Sequence, residues 1–88
     1  MKDNLFYKVL VDDRVVRELR SIPQKDADRI IKAVESLSGN PRPYGTKRLV
    51  KQPGWRIRMG KYRILYEIDD LHHIVNVYRA GHRRNVYR

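Results

Sequence analysis

Eighty-eight residues with 41% hydrophobic content make one small domain, 1–88, whose single core has no second lobe to lean on. Cysteine is absent, which excludes disulfide staples and thiolate chemistry and suits a reducing cytosol. The net charge of +10 is lopsided: residues 1–40 carry eight basic and seven acidic side chains, residues 41–88 twelve basic and three acidic. An even solubility coat would not segregate this way, so the second half is expected to meet a polyanion, nucleic acid ahead of an anionic membrane surface.

In chain order, residues 6–11 read as a first strand, ended by Asp12 and Asp13, which supply N-cap chemistry for a helix. Val15, Val16, Leu19 and Ile22 recur at helical spacing, so residues 14–20 form a short amphipathic helix broken at Ser21-Ile22-Pro23. Pro23 suits the first turn of a second helix, and Asp26 and Asp28 favour its positive end. Ala27, Ile30, Ile31, Val34 and Leu37 form its apolar stripe, and Ser38-Gly39-Asn40-Pro41 stops it. After a loop with two prolines and a glycine, residues 46–51 suggest a short strand around Leu49 and Val50, followed by a Pro53-Gly54 turn. A last strand runs through Ile74, Val75, Val77 and Tyr78, and the tail from Gly81 onward has no assignable periodicity.

The most informative stretch is residues 55–68, two alternating strands joined by Gly60-Lys61. A two-residue connection with glycine first suits a type II′ turn, which sets the register: Met59 faces Tyr62, Arg58 faces Arg63, Ile57 faces Ile64, and Trp55 faces Tyr66. Trp55, Ile57, Met59, Tyr62, Ile64 and Tyr66 then share an apolar face that belongs against the helices. Arg56, Arg58 and Arg63 share the other with Leu65 and Glu67, pointing to solvent or a ligand. The element order gives an α+β fold: an N-terminal strand, a helical hairpin, then an antiparallel sheet packed on the helices.

Arginines directly opposite repel, and folding does not require them there. An anion between them reverses the sign, because the guanidinium fork grips phosphate oxygens in pairs and keeps its charge at any physiological pH. In the tail, His82, Arg83 and Tyr87 are either a frayed terminus or a segment folded back over the arginine face. Tyr87 could there stack on a base or handle a proton, and His82 has an unperturbed pKa near neutrality. His72-His73 lacks metal-ligand spacing, and no Gly-rich phosphate loop, zincin helix or nucleophilic-serine context occurs, so neither metal nor cofactor is expected. No signal peptide or membrane-spanning run is read, and a cytoplasmic protein that does not touch membrane is the expectation.

A short strand, a helical hairpin, the segment LVKQPGWRIRMGKYRILYEIDD and the closing VNVYRAGHRRNVYR together resemble the RelE/ParE superfamily of type II toxins over essentially the whole chain. The hairpin and the Gly-His-Arg tail ending in Val-Tyr resemble the RelE-like branch most. The resemblance implies a RelE-like microbial ribonuclease fold and a ribosome-dependent mRNA endoribonuclease that is silenced by a cognate antitoxin in a hetero-oligomer. The alternative it leaves is a non-catalytic ParE-like toxin poisoning DNA gyrase. Carried over by position, it implies substrate-binding roles for Arg56 and Arg58, and catalytic roles for Arg63, Arg83 and the tail Tyr87. RelE toxins of the best-known type have lysines where this chain has Arg56 and Arg58, and arginine is a poor proton acceptor. The tail is also shorter between Arg83 and Tyr87, and some relatives use a tail histidine for acid–base work, so His82 stands beside Tyr87 for that role.

Overall fold

The computed structural model describes residues 6–86. Its elements are β1 (Lys8–Val11), α1 (Asp13–Arg20), α2 (Gln24–Ser36), β2 (Lys47–Arg48), β3 (Trp55–Met59), β4 (Tyr62–Asp69), β5 (Ile74–His82) and α3 (Arg83–Val86). The α+β reading holds, with the helical hairpin laid on one face of a five-stranded sheet ordered β1-β5-β4-β3-β2. β2 to β5 are antiparallel, whereas β1 runs parallel to β5 and makes the sheet mixed. That pairing needs a crossover between the strands, and the helical hairpin begins it.

α1 starts where expected, with the Asp12 carboxylate accepting from the Arg14 amide at 3.5 Å. Pro23 sits one residue earlier than anticipated, at the N-cap of α2. Val15, Ile30, Val34 and Leu37 from the helices bury against Ile64, Tyr66, Val75, Val77 and Ala80 of the sheet, with Trp55, Ile57 and Met59 packed at the margin. At about 1.5–3 kcal/mol per large apolar side chain, this face decides the register. Polar ties pin it further. The Tyr62 hydroxyl donates to Asp26 Oδ2 of α2 at 3.0 Å, and the fully buried Tyr66 hydroxyl donates to the Pro41 carbonyl at 2.8 Å.

Two local expectations change. The strand anticipated over residues 46–51 is only Lys47–Arg48, and Val50 is 94% exposed. The Leu49 amide instead donates to the Gly54 carbonyl at 3.0 Å, closing a turn around residues 50–53. Gly54 completes that turn at φ +116°, where a Cβ would lie 2.8 Å from the Tyr66 carbonyl oxygen. The second change is at the other end: β5 reaches His82, and the chain then makes one helical turn, α3, set against β4 and β5.

Candidate nucleic-acid interface

The hairpin that carries the basic residues has the register its turn demands. Gly60 has φ +61° and Lys61 does not enter the left-handed region, as a type II′ turn requires. Trp55 lies opposite Tyr66, Ile57 opposite Ile64, Arg58 opposite Arg63 and Met59 opposite Tyr62. Alternation therefore sets Arg56, Arg58 and Arg63 on the face away from the helices.

The neighbouring strands extend this face in a way the hairpin alone does not reveal. Lys47 of β2 lies opposite Arg56, which lies opposite Leu65, itself opposite Arg79 of β5. One residue pair along, Arg58 lies opposite Arg63, and Arg63 opposite Gly81. Two cross-strand rows thus carry Lys47, Arg56 and Arg79 in one, Arg58 and Arg63 in the other. Among the described residues, no carboxylate pairs with Lys47, Arg56, Arg58, Arg63 or Arg83 within 4.0 Å, whereas Arg14, Arg29, Arg42 and Arg79 all have one. Lys47, Arg48, Lys51, Gln52 and Arg56 also line a hollow of about 470 Å³ beside β3. Lys47 and Lys51 were not singled out from the sequence, although the Lys47-Arg48 and Lys51 charges flanking Leu49-Val50 were visible there.

The arginines differ in exposure. Arg58 and Arg83 are exposed and Arg56 is half-buried. Arg63 is not solvated, contrary to the expectation for this face; only 4% of it is exposed. Its Nη1 donates to the carbonyls of Gly60 at 3.2 Å and Tyr62 at 3.1 Å, so the guanidinium is curled back over the turn. The backbone amide of Arg83 donates to the Lys61 carbonyl at 3.0 Å, which extends the β4–β5 ladder by one step and brings Arg83 close to the turn.

His82 is set apart from this group. It lies opposite Tyr62, on the helix-facing side, and meets that ring edge-on at a centroid distance of 6.3 Å. It opens into a cleft of about 220 Å³ with Glu18, Ser21 and Lys61. Its Nδ1 accepts from the Arg84 amide at 3.3 Å, which in the neutral ring leaves the proton on Nε2. Tyr87 lies outside the described residues. Among the described residues, no group of three metal-ligating side chains occurs.

Trp55, on the opposite face, is flanked by the guanidinium groups of Arg42 and Arg48, 5.0 and 5.3 Å from the ring centre. Arg42 also forms a bidentate pair with Asp70, at 3.3 and 2.7 Å, and the Tyr7 hydroxyl donates to the same carboxylate at 2.5 Å. The Arg42 guanidinium and then the Tyr7 hydroxyl hold the Asp70 carboxyl down at about 2, and the same bond raises the Tyr7 pKa. These contacts spend Arg42 on structure, whereas Lys47, Arg56 and Arg58 on the far face have no carboxylate partner among the described residues.

A basic sheet face backed by a helical hairpin is the architecture of a small toxin of a type II toxin–antitoxin system, and the comparisons with known proteins bear this out. The profile of the family described as "ParE toxin of type II toxin-antitoxin system, parDE" matches residues 9–87. The chain belongs to that family, in the RelE/ParE superfamily and on its RelE-like side. It is 32% identical over 90 residues to Toxin RelE of Mycobacterium tuberculosis, covering all of this chain and 93% of that one. To Toxin RelG of the same organism it is 32% identical over 84 residues, covering 93% and 97%. Its fold is similar to that in the RelBE2 toxin–antitoxin complex of M. tuberculosis, with TM-score 0.76, 31% identity, and 89% and 99% of the two chains covered. The archaeal RelE–RelB complex of Pyrococcus horikoshii shares the fold at TM-score 0.76 and 21% identity, over 92% and 99%.

Proposed function

We propose that this type II toxin is a ribosome-dependent mRNA endoribonuclease that inhibits translation. The observation that carries the reading is the set Lys47, Arg56, Arg58 and Arg63 on one sheet face, none of which pairs with a carboxylate among the described residues. The reaction is in-line attack of an RNA 2′-hydroxyl on the adjacent phosphate, giving a cyclic phosphate and a free 5′-hydroxyl. Its barrier falls chiefly through positive charge aimed at the extra negative charge of the phosphorane. Exposed Arg58 and Arg83, with Arg56 behind them, meet phosphate oxygens; Arg63, tethered by two carbonyls, contributes fixed charge beneath. Tyr87 or His82 moves the protons, worth typically 10²–10⁴-fold. A face so poor in bases relies on the ribosome to align the 2′-hydroxyl. The need for that hydroxyl selects RNA over DNA.

The reading also supplies an occupant for the apolar groove between the helices. Val11, Val15, Val16, Leu19, Ile31 and Val34 line a hollow of about 430 Å³, with Val16 46% and Ile31 40% exposed. A cognate antitoxin, acidic to complement this chain's +10 charge, would lay an apolar segment there and form a hetero-oligomer. The toxin would act in the cytoplasm, and among the described residues no helix is long and apolar enough to cross a membrane.

The deciding experiment maps 5′ ends in a translating extract. The wild-type protein is expected to cut transcripts within translated frames. Arg58→Ala and Arg83→Ala should each slow cutting by about 10²–10³-fold with unchanged circular dichroism, the cost typical of one lost transition-state donor. Uncut transcripts in the arrested extract, or full activity in the double variant, would overturn the assignment.

A further inference from the structure

β5 is poorly supported just where it matters for the site. β1 pairs with it only from Ile74 to Val77, yet the strand continues to His82. Among the described residues no strand flanks its last five positions on that side. The β4–β5 ladder also slips there: Leu65 faces Arg79 while its neighbour Tyr66 faces Val77, leaving Tyr78 as the extra residue of a bulge. A bulged strand end with one open edge should fray. Ala80 is instead fully buried, and Arg79 and Gly81 are buried too.

Glu18, in the last turn of α1, closes that edge. Its Oε1 accepts from the Ala80 amide at 3.0 Å, as the carbonyl of a neighbouring strand would. Its Oε2 accepts from Arg79 Nε at 2.7 Å. One carboxylate therefore satisfies a buried edge amide and sits against a buried guanidinium, where both a lone acceptor and a charge matter. Two residues beyond Ala80 is His82, and three beyond is Arg83, whose amide is tied on the other side to the Lys61 carbonyl.

We propose that Glu18 is a positioning residue: by clasping the open edge of β5 at Arg79 and Ala80, it fixes the strand end that carries His82 and leads into Arg83 beside the hairpin turn. Glu18 touches no substrate in this scheme. It acts through the backbone, and its importance for cleavage rests on the ribonuclease reading above, whereas its importance for the conformation of residues 80–83 does not.

The test separates the two. Because Glu18→Ala alone strips the carboxylate from beside a buried guanidinium, the comparison is between E18Q/R79M and E18A/R79M, both of which also remove that cation. The glutamine keeps an acceptor for the Ala80 amide and the alanine does not. Amide exchange at Ala80 and His82 is expected to be at least tenfold faster in E18A/R79M, with lower order parameters at His82 and Arg83, while α2 and the middle of β4 exchange equally in both. Equal exchange and equal order at residues 80–83 would overturn the proposal, whether or not the protein cuts RNA. In the extract, E18A/R79M should show a kcat at least tenfold below E18Q/R79M with KM for programmed ribosomes within twofold. Faster exchange with undiminished kcat in an active enzyme would refute the positioning role. A wild-type protein that leaves transcripts intact would sink the ribonuclease reading alone, and exchange and order would still decide what Glu18 does.

Discussion

If the cation rows exist for a ligand, removing one member should stabilise the free protein while weakening its function. Arg58→Gln is the sharpest case, because Arg58 is exposed, lies directly opposite Arg63 and has no carboxylate partner among the described residues. Cross-strand neighbours have Cβ atoms about 5 Å apart, and flexible arms let the charges spread to roughly 7 Å. Coulomb's law then gives about 0.6 kcal/mol at the dielectric of water and about 2.4 kcal/mol at an effective value of 20. The exposed end of Arg58 belongs near the lower figure, so a gain of about 0.5–1 kcal/mol is expected. For a domain of this size that raises Tm by about 2–8 °C. Melts should be followed by circular dichroism at 20 mM and 1 M NaCl, with Arg58→Lys as the control that keeps the charge. The gain should appear at low salt, shrink strongly at 1 M, where screening acts within about 3 Å, and be absent in the lysine variant. Filter binding to single-stranded RNA should meanwhile lose affinity, its salt slope becoming shallower by about 0.7 for one lost phosphate contact. A variant that melts at or below wild type in low salt, or whose gain persists at 1 M, would refute the idea that the arginines are mutually repulsive in the free state.

Acid titration should reveal the Asp70 cluster. Its folded pKa of about 2 lies below the unfolded value of 3.8, so its contribution is present above about pH 4 and is lost as pH falls toward 2. Asp70→Asn should therefore flatten the acid limb of a Tm-against-pH curve between those values. It should also make the alkaline limb shallower, because the raised Tyr7 pKa contributes stability below pH 10 that is lost above it. An unchanged acid limb would mean that Asp70 is not engaged by Arg42. For the antitoxin groove, V16D/I31D changes two exposed side chains and should leave the fold and extract cleavage intact while weakening antitoxin affinity at least 100-fold by isothermal titration. Retained neutralisation would move the docking surface elsewhere.

What was legible in the sequence, and what was not, follows from the range of the interactions involved. The hairpin register was readable because it is local: Gly60 restricts the turn, and period-two alternation assigns every side chain to a face. The helices were readable from their stripes and from Asp12 and Pro23. β2 is shorter than its side chains suggest: Leu49 and Val50 are strand-like, but a glycine at φ +116° completes a turn there. Arg63 was correctly assigned to its face, but its burial was not foreseeable, since the carbonyls of Gly60 and Tyr62 hold it only once the turn is formed. His82 enters the expected site through its near-neutral unperturbed pKa and the tail histidine of some relatives, neither of which assigns it to a face of the sheet. The β5 alternation places it on the side opposite the arginines, against Tyr62. The role of Glu18 could not be read at all, because it spans 61 and 62 residues to reach its two partners.

The two faces of the sheet explain how a domain this small can hold its cations side by side. On the helix side, Ile64, Tyr66, Val75, Val77 and Ala80 are sealed, and a slip of one residue would drive Arg56, Arg58 and Arg63 into that core. The cost of burying several unpaired guanidinium groups far exceeds the roughly 0.2–1 kcal/mol of repulsion from each facing pair. Apolar packing on one side thus holds a repulsive array on the other, and the array need not be individually stable. That division also predicts where tolerance ends. Changes on the arginine face should trade function against a small gain in stability. Changes at the clasped end of β5 should disturb function through geometry, because one carboxylate from α1 stands there in place of a missing strand.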